Sequence, residues 1–453
     1  MALAIVLALL VAGTVLFHFL SPWWFTPIAS NWTSIDDTIT ITLWVTGGVF
    51  VAINLFMAYA VFRYRHRKGV WAHYEPENKK LEWWLIGLTT VGVVAMLAPG
   101  LAVWANFIKV PENAAVFEVV GQQWHFSYRF PGKDGVLGTV NSRFISDTNP
   151  FGMNPDDPHG QDDVLVSSSE VHLPIGKPVK ALLRSKDVLH DFAVAQIRVK
   201  MDMVPGMVPY IWFTPTLAGK YDILCEELCG IGHFTMRGKF VIEDEAAFQA
   251  WLGRFPTFAQ SSAPVAGDAQ AGKALYAVCS SCHGVEGEGN LQLYAPKLSG
   301  QSDWYLKRQL KYFKQGIRGT HEKDVFGKMM APMAATLADD AAIDNVVAYI
   351  KTLPDKSAPA TAHGRAGHDA HDRYVTNCGI CHGSKGQGIR ATNAPRLAGM
   401  SDWYLATQLK NFKQRIRGAH ADDNYGEQMS LMAATLADDQ VISDIVAYVS
   451  ALR

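Results

Sequence analysis

Three long apolar runs open the chain, Ala2–Leu20, Thr38–Phe62 and Leu85–Phe107, and nearly all such runs lie before Lys109. The second and third exceed the roughly 20 residues needed to cross a hydrocarbon core of ~30 Å. Tryptophans crowd the ends of the runs (Trp23, Trp24, Trp32, Trp83, Trp84 and Trp104), as expected where a helix meets the membrane interface. Between the second and third runs lie Arg63, Arg65, Arg67 and Lys68, with Lys79 and Lys80 further on. Basic loops stay on the cytoplasmic side, so everything after Lys109 is expected on the opposite side, the periplasm of a Gram-negative cell. The first run has no basic residue before it and no clean small-x-small site after it. It is either a further span or a cleaved leader, and residues 1–110 therefore form a membrane region of two or three helices.

Past this region the pattern shortens. Val116–Val120, Val164–Val166, Val179–Leu183, Ile211–Phe213, Tyr221–Leu224 and Lys239–Ile242 are short β-type runs separated by Pro and Gly. They predict a small antiparallel sandwich or barrel over residues 111–258. Asp147–Asp163, rich in Asn, Asp, Pro and Gly, reads as a long surface loop, Glu245–Phe255 as a closing helix, and Gln260–Gly267 as a flexible linker.

The remainder is a duplication. Cys378 lies 99 positions after Cys279, Trp403 lies 99 after Trp304, and Leu436 lies 99 after Leu337. A fixed period without insertion means two copies of one module, here residues 266–354 and 364–453. Both read as helical, with Ala269–Val278 opening the first copy and Asp340–Leu353 and Asp439–Leu452 closing the two. Asp355–His371, rich in Ala, Pro, His and Gly, reads as a second linker. The fold class is thus a multidomain membrane protein: transmembrane helices, a β-sandwich or barrel, then two all-α domains. The shortness of the first linker is expected to hold the first module near the β domain.

Composition refines this picture at two points. The 453 residues suit about three soluble or membrane units, and 41 basic against 42 acidic residues leave no charge signal for nucleic acid. The six cysteines fall in tight pairs, Cys225/Cys229, Cys279/Cys282 and Cys378/Cys381, each with a His close by. Metal or haem chemistry accounts for all six.

Cys279-Ser-Ser-Cys282-His283 and Cys378-Gly-Ile-Cys381-His382 are each C-x-x-C-H. That spacing lets two thiols add across the haem vinyl groups while the His reaches the iron. Two matches in register predict two covalent c-type haems. A neutral methionine would complete each iron; the repeat pairs Met330 with Met429 and Met333 with Met432, and excludes Met329, whose partner is Gln428. Cys225-Glu-Glu-Leu-Cys229-Gly-Ile-Gly-His233-Phe-Thr-Met236 gathers two thiols, an imidazole and a thioether within twelve residues. Soft donors of this mixture select copper, and two cysteines allow two bridged metals. His363, His368 and His371 with Asp369 and Asp372 lie in the linker and read as a solvated spacer.

The copper loop resembles the dinuclear mixed-valence copper (CuA) site of cytochrome c oxidase subunit II, whose upstream S-x-D-V-x-H motif is matched by Ser185-Lys-Asp-Val-Leu-His190. The repeats are similar to tandem dihaem class I cytochromes c. The first resemblance implies a cupredoxin-like domain in which Cys225 and Cys229 bridge two coppers. It further implies that His190 and His233 cap one copper each, and that Met236 and the carbonyl of Glu227 complete the set. The Glu227 side chain would hold Mg²⁺ at the interface with the catalytic subunit. Gly121-Gln-Gln-Trp124-His-Phe-Ser-Tyr128 looks like the family's aromatic segment, whose first Trp receives electrons, although His125 and Phe126 replace the usual Tyr and Trp. Glu82, at the start of the third run, stands where the family marks a proton-channel mouth; it equally suits a helix end at the interface. The second resemblance selects Met330 and Met429 as haem ligands and gives the carbonyls of Pro296 and Pro395 the task of orienting the proximal histidines.

Together the resemblances imply the electron-input subunit of a terminal cytochrome c oxidase. Oxygen reduction and proton pumping would sit on a haem–copper subunit I, with a subunit III beside it and a periplasmic or membrane-bound electron donor. His18 is the only His in the apolar runs, so these helices cannot themselves ligate an oxygen-reducing centre. The same wiring would serve a copper-input nitric oxide reductase. A nitrous oxide reductase is disfavoured by the membrane hairpin and by the lack of a second His-rich cluster. A pure carrier leaves the hairpin without a purpose.

Overall fold

The computed structural model describes residues 2–21, 26–71, 76–146, 149–262, 267–358 and 367–452. Trp23, Trp24, Asp147, His363 and the middle of each linker lie outside the described residues. The three apolar runs form helices α1 (Ala2–Leu20), α2 (Thr33–Arg63) and α3 (Lys79–Ile108), each long and apolar enough to cross a membrane. Their apolar residues point in every direction and remain almost wholly exposed, the pattern of a helix surrounded by lipid or by other membrane helices. Glu82 lies in the first turn of α3, where the side chain of Asn78 caps the helix by accepting from the backbone N–H of Leu81.

Polar contacts fasten this hairpin to the next domain. Arg198 grips Asp36 of α2 through Nε and Nη2, at 2.7 and 2.8 Å. Trp32 Nε1 donates to the carbonyl of Trp212 at 3.0 Å, and Trp212 Nε1 donates to that of Asn106 at 3.2 Å.

The second domain is a two-sheet sandwich. One sheet, in the order β3 (Val164–Val166), β2 (His125–Phe130), β1 (Ala115–Gln122), β5 (Val179–Ser185), β8 (Tyr210–Phe213), faces another. The second runs β4 (Glu170–Pro174), β10 (Arg237–Glu243), β9 (Gly219–Leu224), β6 (His190–Val194), β7 (Val199–Met203). Every expected β run is a strand, but the sandwich is not wholly antiparallel: β1 pairs with β5, and β4 with β10, in parallel. A parallel pair requires the chain to cross over between its strands, and a residue alternation marks the buried face of a strand, not its direction. Phe117, Tyr128, Phe192, Phe213 and Phe240 meet between the sheets and are essentially inaccessible. Arg129 is buried between Glu118 and Asp163, at 2.8 and 2.6 Å, and so ties the long loop before β3 to the sheet. Helices α4 (Glu245–Leu252) and α5 (Phe258–Ser262) close the domain.

The first repeat comprises α6 (Ala269–His283), α7 (Asp303–Lys314), α8 (Val325–Ala335) and α9 (Asp340–Thr352). The second comprises α10 (Ala370–Asn377), α11 (Gly379–His382), α12 (Asp402–Lys413), α13 (Asn424–Ala434) and α14 (Asp439–Ala451). Each copy has its own core, led by Tyr276 with Val347 in one and Tyr374 with Val446 in the other. The second linker is not spacer from its start. Asp355 takes Lys297 of the first copy at 2.8 Å and Arg396 of the second at 2.6 Å, because two buried-side cations at the module boundary need a counter-charge. Farther along, His368 and His371 are exposed and form ion pairs with the adjacent Asp369 and Asp372, and the His371 ring meets Tyr448 edge-on at 5.6 Å.

Candidate copper and haem centres

Two strand ends deliver the copper-loop residues to one point. β9 ends at Leu224, the loop from Cys225 leaves the sheet, and the N–H of Cys225 donates to the carbonyl of Met236 at 3.2 Å, pinching the loop shut before β10. His190 arrives from the other side as the first residue of β6. Cys225 Sγ stands 3.8 Å from Cys229 Sγ, 4.0 Å from His190 Nδ1 and 3.3 Å from the carbonyl oxygen of Glu227. Cys229 Sγ stands 3.5 Å from His233 Nδ1 and 3.9 Å from Met236 Sδ. All six donors expected from the sequence therefore converge, and five of the six residues do so with their side chains.

The chemistry of this donor set fits copper. Two thiols, two imidazoles and a thioether are soft or borderline donors, whereas a structural zinc ion is satisfied by four ligands and has no use for Met236 or a carbonyl. The hydrogen bond from Cys229, joined by those of His190 and the backbone, holds Cys225 far below the ordinary thiol range, at about 3, while the neighbouring sulfur pushes Cys229 up. Asp187 fixes the histidine: its Oδ1 lies 2.7 Å from His190 Nε2 and its Oδ2 accepts from the N–H of Gln123 at 2.7 Å. With Nε2 engaged, Nδ1 faces the thiols, as an outer partner is expected to arrange.

Trp124 is buried against this loop. Its Nε1 donates to the carbonyl of Cys229 at 3.0 Å, and Gln123 Nε2 donates to the same oxygen at 2.7 Å. The indole lies so close to Gly232 that a Cβ there would fall 2.3 Å from the ring, so only glycine allows the contact.

In the repeats, α6 and α11 end at the motif histidines, and Gly284 and Gly383 follow in the left-handed region with φ of 83°. His283 Nδ1 is 2.7 Å from the carbonyl of Pro296, and His382 Nδ1 is 2.8 Å from that of Pro395. These bonds leave each Nε2 for a metal, and burial holds both rings below the usual histidine range, in the neutral form that ligates. A cavity beside His283 is lined by Cys279, Cys282, Met330 and Met333, and one beside His382 by Cys378, Cys381, Met429 and Met432. A covalent haem fits this arrangement of thiols, imidazole and thioether. Met432 also packs outward against the core of the β domain, and Met333 is exposed.

The two cavities share a wall. Tyr305, Gln309, Tyr404 and Gln408 line both. Arg318 Nη2 donates to Tyr404 at 3.0 Å, and Arg417 Nη2 donates to Tyr305 at 2.8 Å and to Gln309 at 2.9 Å. These residues escaped the sequence reading, although Tyr305/Tyr404, Gln309/Gln408 and Arg318/Arg417 are identical at the 99-residue offset. Asp187 stands inside the Ser185–His190 motif, three residues before the histidine it fixes, whereas its bond from Gln123, and that of Gln123 to Cys229, span 64 and 106 positions and leave no local pattern. Asp191, next to His190, is fully buried; burial above all, with Asp202 facing it across the β6–β7 pair, raises it to about 7. No sequence signal marks it.

One expectation fails. The module seated on the β domain is the second, not the first. Ile380 and Met432 pack against the core of the β domain, and α13 lies against the turn His233–Thr235. Cys381 Sγ is 3.7 Å from the carbonyl of Gln123, and Tyr425 donates to the carbonyl of Ser167. Linker length governs which module is nearest along the chain, whereas the apolar side chains Ile380 and Met432 decide which one binds.

Residues 115–244 match the family described as cytochrome c oxidase subunit II, periplasmic domain. Residues 269–354 and 370–453 match the cytochrome c family. The alternative cytochrome c oxidase subunit 2 of Bradyrhizobium diazoefficiens is 60% identical over 259 residues, covering 57% of this chain and 94% of that protein. Cytochrome c oxidase subunit 2 of Cereibacter sphaeroides is 27% identical over 240 residues, covering 50% of this chain and 76% of that protein. Among solved structures, reduced recombinant cytochrome c4 from Pseudomonas stutzeri shares 27% identity with a TM-score of 0.34, over 42% of this chain and all (100%) of that one.

Proposed function

Because the chain belongs to the cytochrome c oxidase subunit 2 family, we propose that it is the electron-input subunit of a haem–copper oxidase, carrying electrons from an external donor through two c-type haems and a dinuclear copper centre. The observation that carries this reading is the convergence of five copper-loop donors and His190 through contacts of 4.0 Å or less. Bound copper and haem supply one-electron chemistry, and the chain itself makes and breaks no substrate bond.

The roles follow residue by residue. Cys225, Cys229, His190, His233, Met236 and the Glu227 carbonyl would hold the copper, which would supply one-electron transfer there. Trp124, hydrogen-bonded to Cys229, is the residue through which the copper site receives electrons. Cys279, Cys282, His283 and Met330 hold the first haem, and Cys378, Cys381, His382 and Met429 hold the second. The outward packing of Met432 on the β domain supports Met429 over it. The protein divides into a membrane region to residue 110, a copper domain over 111–258, and haem modules over 266–354 and 364–453.

The oxygen-reducing site and proton translocation belong to a partner subunit I in the bacterial inner membrane, with subunit III beside it. Leu228, 82% exposed on the copper loop beside Glu227, supports a partner at this face, since large exposed apolar groups mark interaction surfaces. Mg²⁺ between the Glu227 carboxylate and that partner, and proton uptake at Glu82 on the cytoplasmic side, complete the assignment. The oxidase names of both relatives favour this reading over a nitric oxide reductase.

Cofactor analysis of the purified subunit tests the reading. A pyridine haemochrome assay is expected to give two covalent haems per chain, and elemental analysis two coppers. Zinc in place of copper, or a single haem, would overturn it. A second prediction concerns the axial ligands. Met429→Ala is expected to remove the sulfur–iron absorption of one haem and lower its potential, while Met432→Ala leaves that absorption intact. The reverse result would move the ligand to Met432.

A further inference from the structure

The duplication supplies an internal control on the charges around each haem cavity. The cavity beside His283 is lined by Lys297, Arg318 and Asp324. The cavity beside His382 is lined by their partners at the 99-residue offset, Arg396, Arg417 and Asp423. Each pair is engaged alike. Lys297 and Arg396 share the carboxylate of Asp355, Arg318 and Arg417 each bond a tyrosine of the other copy, and Asp324 and Asp423 cap α8 and α13. One charge has no twin. Arg308, on α7 of the first copy, lines the cavity of the second, whereas Thr407, at its offset on α12, lines the cavity of the first. The exchange across the module boundary is symmetric in position and asymmetric in charge.

Arg308 is anchored by protein groups on both sides of that boundary. Its Nη1 and Nη2 donate to the side-chain and backbone oxygens of Asn393 at 3.0 and 2.9 Å. The guanidinium also lies over the rings of Trp304 and Tyr425, 5.0 and 4.8 Å from their centroids. All three partners are neutral, and among the described residues Arg308 makes no ion pair. A guanidinium is a permanent cation, so its charge stands uncompensated at the second cavity. Thr407 instead turns its hydroxyl back to the carbonyl of Trp403 on its own helix, at 2.8 Å. An opposing charge, Asp187 of the copper domain, reaches Cys381. It lies outside the cavity lining, and its oxygens face His190 and the N–H of Gln123.

We propose that Arg308 sets the direction of electron flow between the modules by holding the haem of the second at a higher potential than the haem of the first. The inference rests on the electron-input reading above. A cation bordering a redox centre favours the state that holds one more electron. The second module is the one seated on the copper domain, so the bias draws the electron toward the copper-facing end of the chain. One electron leaves the first haem, which is oxidised, and enters the second, which is reduced; no bond changes and no proton moves. At the effective dielectric of ~20 that suits protein sites, one such charge is expected to shift the distribution of the electron by about tenfold, or ~59 mV in the spacing of the two potentials.

The test is a redox titration of the intact complex, following the haem absorption and resolving its two components. Arg308→Gln removes the charge while keeping a donor for Asn393, Arg308→Lys keeps the charge, and Thr407→Arg gives the first cavity the cation it lacks. Each variant is first shown to retain two haems per chain. Arg308→Gln should lower the upper potential by the amount above and leave the lower one in place. Arg308→Lys should leave both near their wild-type values, and Thr407→Arg should raise the lower one. Unchanged spacing in Arg308→Gln, or a fall of the lower component in place of the upper, would overturn the proposal. Equal shifts in the Gln and Lys variants would assign Arg308 to packing and overturn it as well. The electron-input reading fails separately: a wild-type complex without two covalent haems would refute that reading and this proposal with it, whereas two haems whose potentials ignore Arg308 would refute the proposal alone.

Discussion

Ending the chain after Ala259 is expected to leave a copper-loaded subunit, assembled in its membrane, whose turnover on the natural protein donor falls by roughly 10²–10⁴-fold, the advantage a tether confers over a free second component. The cut preserves the copper domain. Phe258 is buried in a satellite core, and the backbone N–H groups of Phe258 and Ala259 donate to Asp163 and Gln161 at 2.9 and 3.0 Å. What is lost is both haem modules, and with the second go the contacts of Ile380 and Met432 on the β domain and of Cys381 beside Gln123. A small chemical reductant that reaches copper directly should still drive oxygen uptake in the truncated enzyme. Comparing the two reductants on full-length and truncated complexes checks the prediction. Full activity with the natural donor after truncation would make the haem modules accessory.

Cys229→Ser is expected to reduce copper content to near zero while both haems remain attached. Cys229 is the hub of the site: its sulfur faces Cys225, His233 and Met236, and its carbonyl accepts from both Trp124 and Gln123. A serine hydroxyl is a hard donor that stays protonated near neutral pH and cannot bridge two coppers as a thiolate does. The carbonyl contacts survive the change, so the loop should keep its path. In air, with the natural donor present, the haems of this variant should become reduced and stay reduced, because their outlet is gone. Copper analysis together with the haem spectrum under aerobic turnover reads both parts. Normal reoxidation of the haems would show a route to the partner that bypasses copper.

Much of this architecture is legible before any coordinates. The chemistry sits in short local patterns: C-x-x-C-H twice, a twelve-residue copper loop, and a period of 99 that pairs the modules residue by residue. The membrane helices announce themselves by length. Less visible were strands β2, β4, β6 and β7, among which β6 is buried along its whole length and so lacks the alternation that reveals a half-buried strand. The parallel pairing of β1 with β5 is also hidden, since pairing partners lie more than fifty residues apart. Asp355 was taken for spacer because its two cations, Lys297 and Arg396, come from different modules. The seat of the second module on the copper domain is a contact between residues 258 positions apart. No local pattern encodes that; two apolar side chains, Ile380 and Met432, produce it.

The central claim is that electrons reach copper by way of the haems. Rapid mixing of the oxidised complex with its reduced natural donor, oxygen excluded, tests it most directly when the haem and copper absorptions are followed separately. The account predicts that haem reduction leads and that copper reduction follows it with a resolved lag. Copper reduced first, or reduced at the same rate whether or not the haem modules are present, would contradict it.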